Sequence, residues 1–122
     1  MEQITAKMTV STQLTPLQQL LQRSADSPLP IVAFLTRGQS GSDFLMRRVL
    51  ERLEDSLTDS FQFIELAERA AEGLQKELKT TKNPVVLLLD RSEIQLLFSG
   101  MMPYESLREV LESYLAKSCQ PL

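Results

Sequence analysis

The sequence KNPVVLLLDRSEIQLLFSG, residues 82–100, contains the pattern that decides the fold of this chain. Residues 85–89 are five consecutive apolar side chains, a short run that is typical of a strand buried on both faces of a sheet. Residues 90–93 are polar and short enough for a turn, and residues 94–98 form a second strand-like run. The stretch therefore predicts a β-hairpin, with Pro84 at the start of its first strand, where a missing N–H is tolerated.

Strand-like and helix-like stretches alternate along the rest of the chain. Residues 31–36 (IVAFLT) and 61–66 (FQFIEL) predict two more strands. Thr15-Pro16 predicts a helix start, with Thr15 as the N-cap, and apolar residues at helical spacing predict three further helices. In the helix after residue 42, the apolar stripe comprises Phe44, Leu45, Val49, Leu50 and Leu53.

The remaining segments are predicted to connect these elements. The polar connections are expected at residues 24–30, 37–42 and 54–60, and a short tail at residues 117–122. Residues 1–13 alternate weakly, and an edge strand or a flexible leader fits them equally well.

The predicted element order is (β)αβαβαββα, which specifies an α/β fold. The αβαβ part implies parallel strands with right-handed crossovers, and the hairpin adds an antiparallel edge. We therefore expect a mixed sheet of four or five strands, flanked by helices on both faces. No repeat or internal boundary is visible, so residues 1–122 are expected to form a single domain.

Composition narrows the function classes. The net charge of −3, with 13 basic and 16 acidic residues interspersed, argues against a nucleic-acid partner. No apolar run approaches the ~20 residues that cross a bilayer, and the N-terminus does not resemble a signal peptide. One cysteine and no histidine remove the usual nucleophile pairs and zinc sites. We therefore expect a cytoplasmic protein with no catalytic residue, no metal and no cofactor.

In the order and spacing of its elements, the chain resembles the thioredoxin family over roughly residues 15–116. Pro84 matches the position of the family's cis-proline, and Gly100 matches its conserved glycine after the hairpin. The resemblance implies a thioredoxin-like fold and a cis peptide bond between Asn83 and Pro84. The terminal helix also matches at four core positions: Leu107, Val110, Leu111 and Leu115.

The chain departs from the family where the thiol chemistry is carried out. Gln39 stands in place of the nucleophilic cysteine, Ser42 in place of the resolving cysteine, and Gly38 in place of the tryptophan. Ala33 replaces the buried carboxylate that assists proton transfer in the family. Thiol–disulfide exchange needs a thiolate, so the resemblance implies a domain without this activity.

The resemblance also implies a binding surface, because the family binds protein substrates where the redox loop, the cis-proline and the glycine meet. Such a surface predicts a redox-inactive protein- or peptide-binding module with a scaffold-like or chaperone-like role. The matching positions here are Ser40, Gly41, Asn83, Pro84, Ser99, Gly100 and Met101.

Two other functions stay open. The first is an atypical monothiol redox protein, which requires a reactive Cys119. The second is a structural homodimer. The loop at residues 38–42 lacks the spacing and the histidine of a hydrolase, although helix N–H groups with Ser40, Ser42 and Arg37 would suit an anion.

One further feature is a group of arginines on the helix after residue 42. Arg47, Arg48 and Arg52 alternate with acidic residues, a pattern that predicts a solvated face. A partner is therefore expected on the surface around Pro84 and not on this face.

Overall fold

The computed structural model describes residues 14–36, 41–80 and 84–118. These residues form eight elements in the order αβαβαββα. They are α1 (Pro16–Asp26), β1 (Ile31–Thr36), α2 (Gly41–Leu57), β2 (Gln62–Ala67), α3 (Glu68–Leu78), β3 (Val85–Asp90), β4 (Glu93–Ser99) and α4 (Tyr104–Ser118). The optional strand or leader predicted at residues 1–13 lies outside the described residues.

The four strands form one mixed sheet in the order β2-β1-β3-β4. Strands β1 and β2 are parallel, as the alternation of helices and strands predicts, and β3 is antiparallel to both β1 and β4. The predicted mixed sheet and its antiparallel hairpin edge are therefore confirmed.

Helices cover both faces of this sheet and bury its two central strands. Helices α2 and α4 pack on one face, and α1 and α3 pack on the other. Each face has its own apolar cluster: the first lies between the sheet and α2 and α4, and the second lies between the sheet and α1 and α3. In β3, Val86 and Leu88 point into the first cluster, while Val85, Leu87 and Leu89 point into the second. Successive side chains of the strand point to opposite faces, and helices cover both faces. Residues 85–89 of the strand are therefore all apolar.

The start of α1 is held by two separate caps. The Thr15 hydroxyl accepts a hydrogen bond from the Gln18 N–H at 3.1 Å, and the Thr15 N–H donates to the Gln18 side chain at 3.0 Å. The Leu17 N–H donates to Glu77 Oε1 of α3 at 2.8 Å. The predicted N-cap is confirmed, and α3 supplies the negative charge that the first turn of α1 lacks.

Four helix termini differ from the sequence prediction, and one of them is the start of α2 at Gly41, two residues inside the loop predicted at residues 37–42. The loop predicted at residues 24–30 is wrong for its first three residues, because Ser24 is buried and helical. The linker predicted at residues 54–60 is wrong for 54–57, because Leu57 continues the buried stripe of α2 four residues after Leu53. The last helix runs to Ser118, two residues into the predicted tail.

The hairpin turn is shorter than the four-residue turn predicted at residues 90–93. Asp90 pairs with Glu93, so only Arg91 and Ser92 form the turn. Both residues have positive φ, 55° and 67°, which indicates a type I′ turn. Such turns favour asparagine and glycine, so this turn carries backbone strain at two residues of other types.

Candidate functional site

Several predicted surface residues lie together at one end of the sheet, which we call the Pro84 end. There β1 finishes, β3 begins and β4 finishes, because Leu35 pairs with Val85 and Val85 pairs with Ser99. The Gly100 N–H donates a hydrogen bond to the Pro84 carbonyl oxygen at 2.7 Å. Helix α2 begins at this end, four residues after β1, so Gly41 and Ser42 belong to it as well.

Other predicted positions lie outside the described residues. They are Gln39 and Ser40 of the degenerate redox loop, Asn83 with its bond to Pro84, and Cys119. Ala33, which stands where the family has a buried carboxylate, is fully buried in β1.

The two glycines of the Pro84 end have open space around them. A Cβ atom on either Gly41 or Gly100 would meet no atom within 4 Å. Gly100 has a φ of +95°, so its backbone requires glycine, whereas Gly41 begins a helix. The Pro84 ring itself is buried, so the exposed part of this end is formed by its neighbours Ser99 and Met101.

Two apolar residues that sequence reasoning assigned to the core are exposed at this end. Phe44 and Leu45 are each 54% exposed, and Met101 is 44% exposed. The buried stripe of α2 runs instead through Met46, Leu50, Leu53 and Leu57. The spacing of that stripe, four, three and four residues, is a cleaner helical pattern that would have identified Phe44 and Leu45 as surface residues.

The arginines of α2 each contact a different aromatic ring. Arg47 forms two hydrogen bonds with Glu65, at 3.1 and 2.8 Å, and its guanidinium lies 5.7 Å from the centre of the Phe34 ring. The hydrogen bond with Glu65 raises the pKa of Arg47 above its ordinary value. Arg47 therefore belongs to a fixed ion pair across α2 and β2.

The other two arginines lie one turn apart on α2 and contact different rings. Arg48 lies over the ring of Phe44 at 5.9 Å, and Arg52 lies over the ring of Tyr104 at 3.9 Å. Arg48 and Arg52 are thus exposed, as predicted, while Arg47 is partly exposed in its pair with Glu65. Arg48 borders the Pro84 end.

A groove of about 180 Å³ lies between α2 and the β1–β2 edge. Its floor includes Phe34 and Phe63, and Arg47 and Glu65 lie at its rim. The volume is below the ~300 Å³ at which small-molecule sites begin. Within residues 14–36, 41–80 and 84–118, no three histidine, cysteine, aspartate or glutamate side chains are grouped to hold a metal ion.

The opposite end of the sheet, which we call the hairpin end, is closed by polar contacts. The Tyr114 hydroxyl donates a hydrogen bond to Asp90 Oδ2. Partial burial and this bond raise the pKa of Tyr114 to about 12. The Ser92 N–H donates to Ser24 Oγ at 3.0 Å, which ties the turn to α1. These contacts have structural roles.

Comparisons with known proteins agree with this architecture. No protein-family model matches the sequence, and no curated protein matches it. The structure is similar to the crystal structure of chloroplastic thioredoxin z, with a TM-score of 0.68 and 16% sequence identity, over 80% of this chain and 88% of that chain. The chain has the thioredoxin fold.

Within this thioredoxin fold the redox pair is missing, because the sequence contains one cysteine and a CxxC motif needs two. No helix of the described residues is long and apolar enough to cross a membrane.

Proposed function

We propose that this thioredoxin-fold domain is a redox-inactive protein- or peptide-binding module with a scaffold-like or chaperone-like role. The observation that carries the proposal is the exposure of Phe44, Leu45 and Met101 at the end of the sheet where the redox cysteines are absent. Phe44 and Leu45 are adjacent on α2, and Met101 follows β4 at the same end of the sheet. Several exposed apolar residues on one surface mark an interaction site, whereas single ones are ordinary.

The backbone of the Pro84 end supports the same proposal. The space above Gly41 and Gly100 allows a partner chain to approach closely, since neither position has a side chain. Met101 adds a flexible apolar contact next to Gly100. An extended segment is therefore the kind of partner that this surface suits, because its backbone could form hydrogen bonds there while its side chains contact the exposed apolar residues.

Redox inactivity is the first part of the proposal to test. We expect no acceleration of insulin reduction by dithiothreitol, because Gln39 and Ser42 cannot form a mixed disulfide. The double variant Gln39→Cys with Ser42→Cys is expected to form an internal disulfide and yet to remain a poor reductase, because Ala33 supplies no carboxylate. Fast alkylation of Cys119 below pH 7 would favour the alternative monothiol redox function instead.

Binding is the second part, and a random peptide library displayed on phage is a suitable probe. Leu45→Arg and Met101→Arg are expected to remove the enrichment of peptides that the native domain selects. Leu14→Arg is the matched control, because Leu14 is a partly exposed leucine beside α1, on the opposite face of the sheet. Equal loss with Leu14→Arg would mean that the selected peptides do not bind the Pro84 end.

A cytoplasmic location is part of the same proposal. It is supported by the single cysteine, which cannot form an internal disulfide and suits a reducing compartment. The similar thioredoxin z is chloroplastic, and its structure is described as defining a type-specific target recognition. A fluorescent fusion checks the location, and light scattering distinguishes a monomer from a homodimer.

A further inference from the structure

We infer that the segment bound at the Pro84 end carries an acidic side chain beside its apolar anchor, and that Arg48 binds this acid. The inference rests on the proposed binding function and specifies the chemistry of the partner. It begins from the position of Arg48, one turn after Phe44 on α2, with its guanidinium 5.9 Å from the centre of an aromatic ring that is 54% exposed.

Arg48 has no anion partner among the described residues and stacks on an exposed ring of its own helix, whereas Arg47 is paired with an acid and Arg52, which also lacks an anion, stacks on a half-buried ring of α4. Arg47 is held by Glu65 at 2.8 Å, and Arg52 is stacked on Tyr104 at 3.9 Å. The ion pairs found among the described residues join Arg47 to Glu65 and Arg108 to Glu112, so none of them involves Arg48. The Phe44 ring is the contact that the structure gives for the Arg48 guanidinium, and the five N–H donors of this guanidinium can bind an incoming acceptor.

The aromatic contact prepares Arg48 to bind a carboxylate. A guanidinium lying over a ring keeps its edge free, and that edge matches the two oxygens of a carboxylate. The ring also limits the rotamers of the side chain, which lowers the entropy lost on binding. Apolar residues around it, Phe44 and Leu45, would exclude water from such a pair and strengthen it.

The net charge of the whole chain makes this contact selective. At −3, the protein repels acidic segments in general, so an acid is favoured only where a cation stands at the surface that the segment covers. An acidic residue placed next to the apolar anchor is thus accepted, whereas acids elsewhere in the segment gain nothing. Arg48 acts in this way as a specificity-determining residue.

The experiment is a charge reversal with a fixed probe. A phage library of random heptapeptides is panned against the full chain, against Arg48→Glu and against Arg23→Glu, which reverses an exposed arginine on the other face of the sheet. We expect the native chain and Arg23→Glu to enrich peptides with an apolar residue beside Asp or Glu. Arg48→Glu is expected to keep the apolar preference and to enrich Lys or Arg in place of the acid.

A second measurement gives the size of the effect. For one enriched peptide, replacement of its acid by lysine should weaken binding to the native chain at least fivefold by fluorescence polarisation, and should strengthen binding to Arg48→Glu. Enriched peptides without an acid, or with a preference unchanged by Arg48→Glu, overturn this inference and leave the binding function standing. Absence of enrichment by every protein overturns both.

Discussion

At the hairpin end of the sheet, hydrogen bonds join the turn to the flanking helices, whereas at the Pro84 end large apolar side chains are exposed to solvent. At the hairpin end, Tyr114 bonds Asp90, and the Ser92 N–H bonds Ser24. At the Pro84 end, Leu45 remains about half exposed. The two ends use the same strands, so the difference arises from the loops and helix starts that flank them.

Backbone strain is also distributed differently between the two ends. At the hairpin end, two residues with side chains, Arg91 and Ser92, take positive φ. At the Pro84 end, the positive φ belongs to Gly100, which bears it without cost. Polar anchoring thus holds a strained turn at one end, while an unstrained and open backbone remains available at the other.

Among changes to the turns and contacts of the two ends, the largest effect is expected from breaking the polar contacts of the hairpin end. Tyr114→Phe removes a hydrogen bond to a carboxylate and should lower the free energy of unfolding by about 2 kcal/mol at pH 7. Urea unfolding of the variant and the native chain measures this difference. A change below the error of the method would mean that the hairpin end does not depend on this bond.

The same bond gives a pH dependence with a defined sign. The pKa of Tyr114 rises to about 12 in the folded chain, above its ordinary value of 10. Its contribution is therefore fully present below pH 10 and is lost as the pH rises through 12. The part of the free energy of unfolding that depends on this pKa shift is ~1 kcal/mol, because Tyr114 is only partly buried and solvent screens its charge.

Tyr104→Phe is the matched control, because the pKa of the Tyr104 hydroxyl is lowered in the folded chain, whereas that of Tyr114 is raised. A hydrogen bond with Ser56 and the nearby Arg108 lower the pKa of Tyr104. The folded state therefore favours the ionised Tyr104, which adds stability above pH 10. The native chain should lose less stability in alkali than Tyr104→Phe, and more than Tyr114→Phe.

The next effect tests the open backbone of the Pro84 end. Gly100→Ala should destabilise the fold by about 1.5 kcal/mol, since φ of +95° is costly for alanine even though its Cβ would be in open space. Gly41→Ala, with equally open space but at a helix start, should cost nothing. Equal behaviour of the two variants in thermal unfolding would contradict the structural difference between these glycines.

A smaller effect, this time a gain in stability, is expected from relieving the strain of the hairpin turn. Arg91→Asn with Ser92→Gly supplies the residues that a type I′ turn prefers and should stabilise the fold by about 1 kcal/mol. The Ser92 N–H that bonds Ser24 is kept by this change. Denaturant midpoints compare the variant with the native chain, and a lower midpoint would show that the original side chains contribute contacts which outweigh the strain.

Most of the fold could be predicted from the sequence, since apolar runs and capping residues act locally. The unbroken run in β3 and the Thr15-Pro16 start of α1 are examples. The end of α1 could not be predicted, because Ser24 is buried through a tertiary contact with the hairpin turn, whereas Leu57 at the end of α2 continues the helical spacing from Leu53 and could have been.

The binding surface was predicted through family resemblance, and only part of its chemistry was foreseen. Phe44 and Leu45 are apolar residues in an amphipathic helix, and composition alone favours the core for both. The phase of the helix, which buries Met46 instead, follows from the regular spacing of Met46, Leu50, Leu53 and Leu57. The contact of Arg48 with Phe44 depends on this same phase.

The smallest expected effect tests whether that phase is correct. Leu45 and Met46 are adjacent in α2, yet Leu45 is 54% exposed and Met46 is fully buried. Leu45→Ser should change the free energy of unfolding by less than ~0.5 kcal/mol, as surface substitutions do. Met46→Ser should cost about 3 kcal/mol, because it opens a cavity and buries a hydroxyl in the first cluster. If Leu45→Ser is equally costly, Leu45 packs within the protein, and the Pro84 end then lacks the exposed apolar group on which the proposed partner would dock.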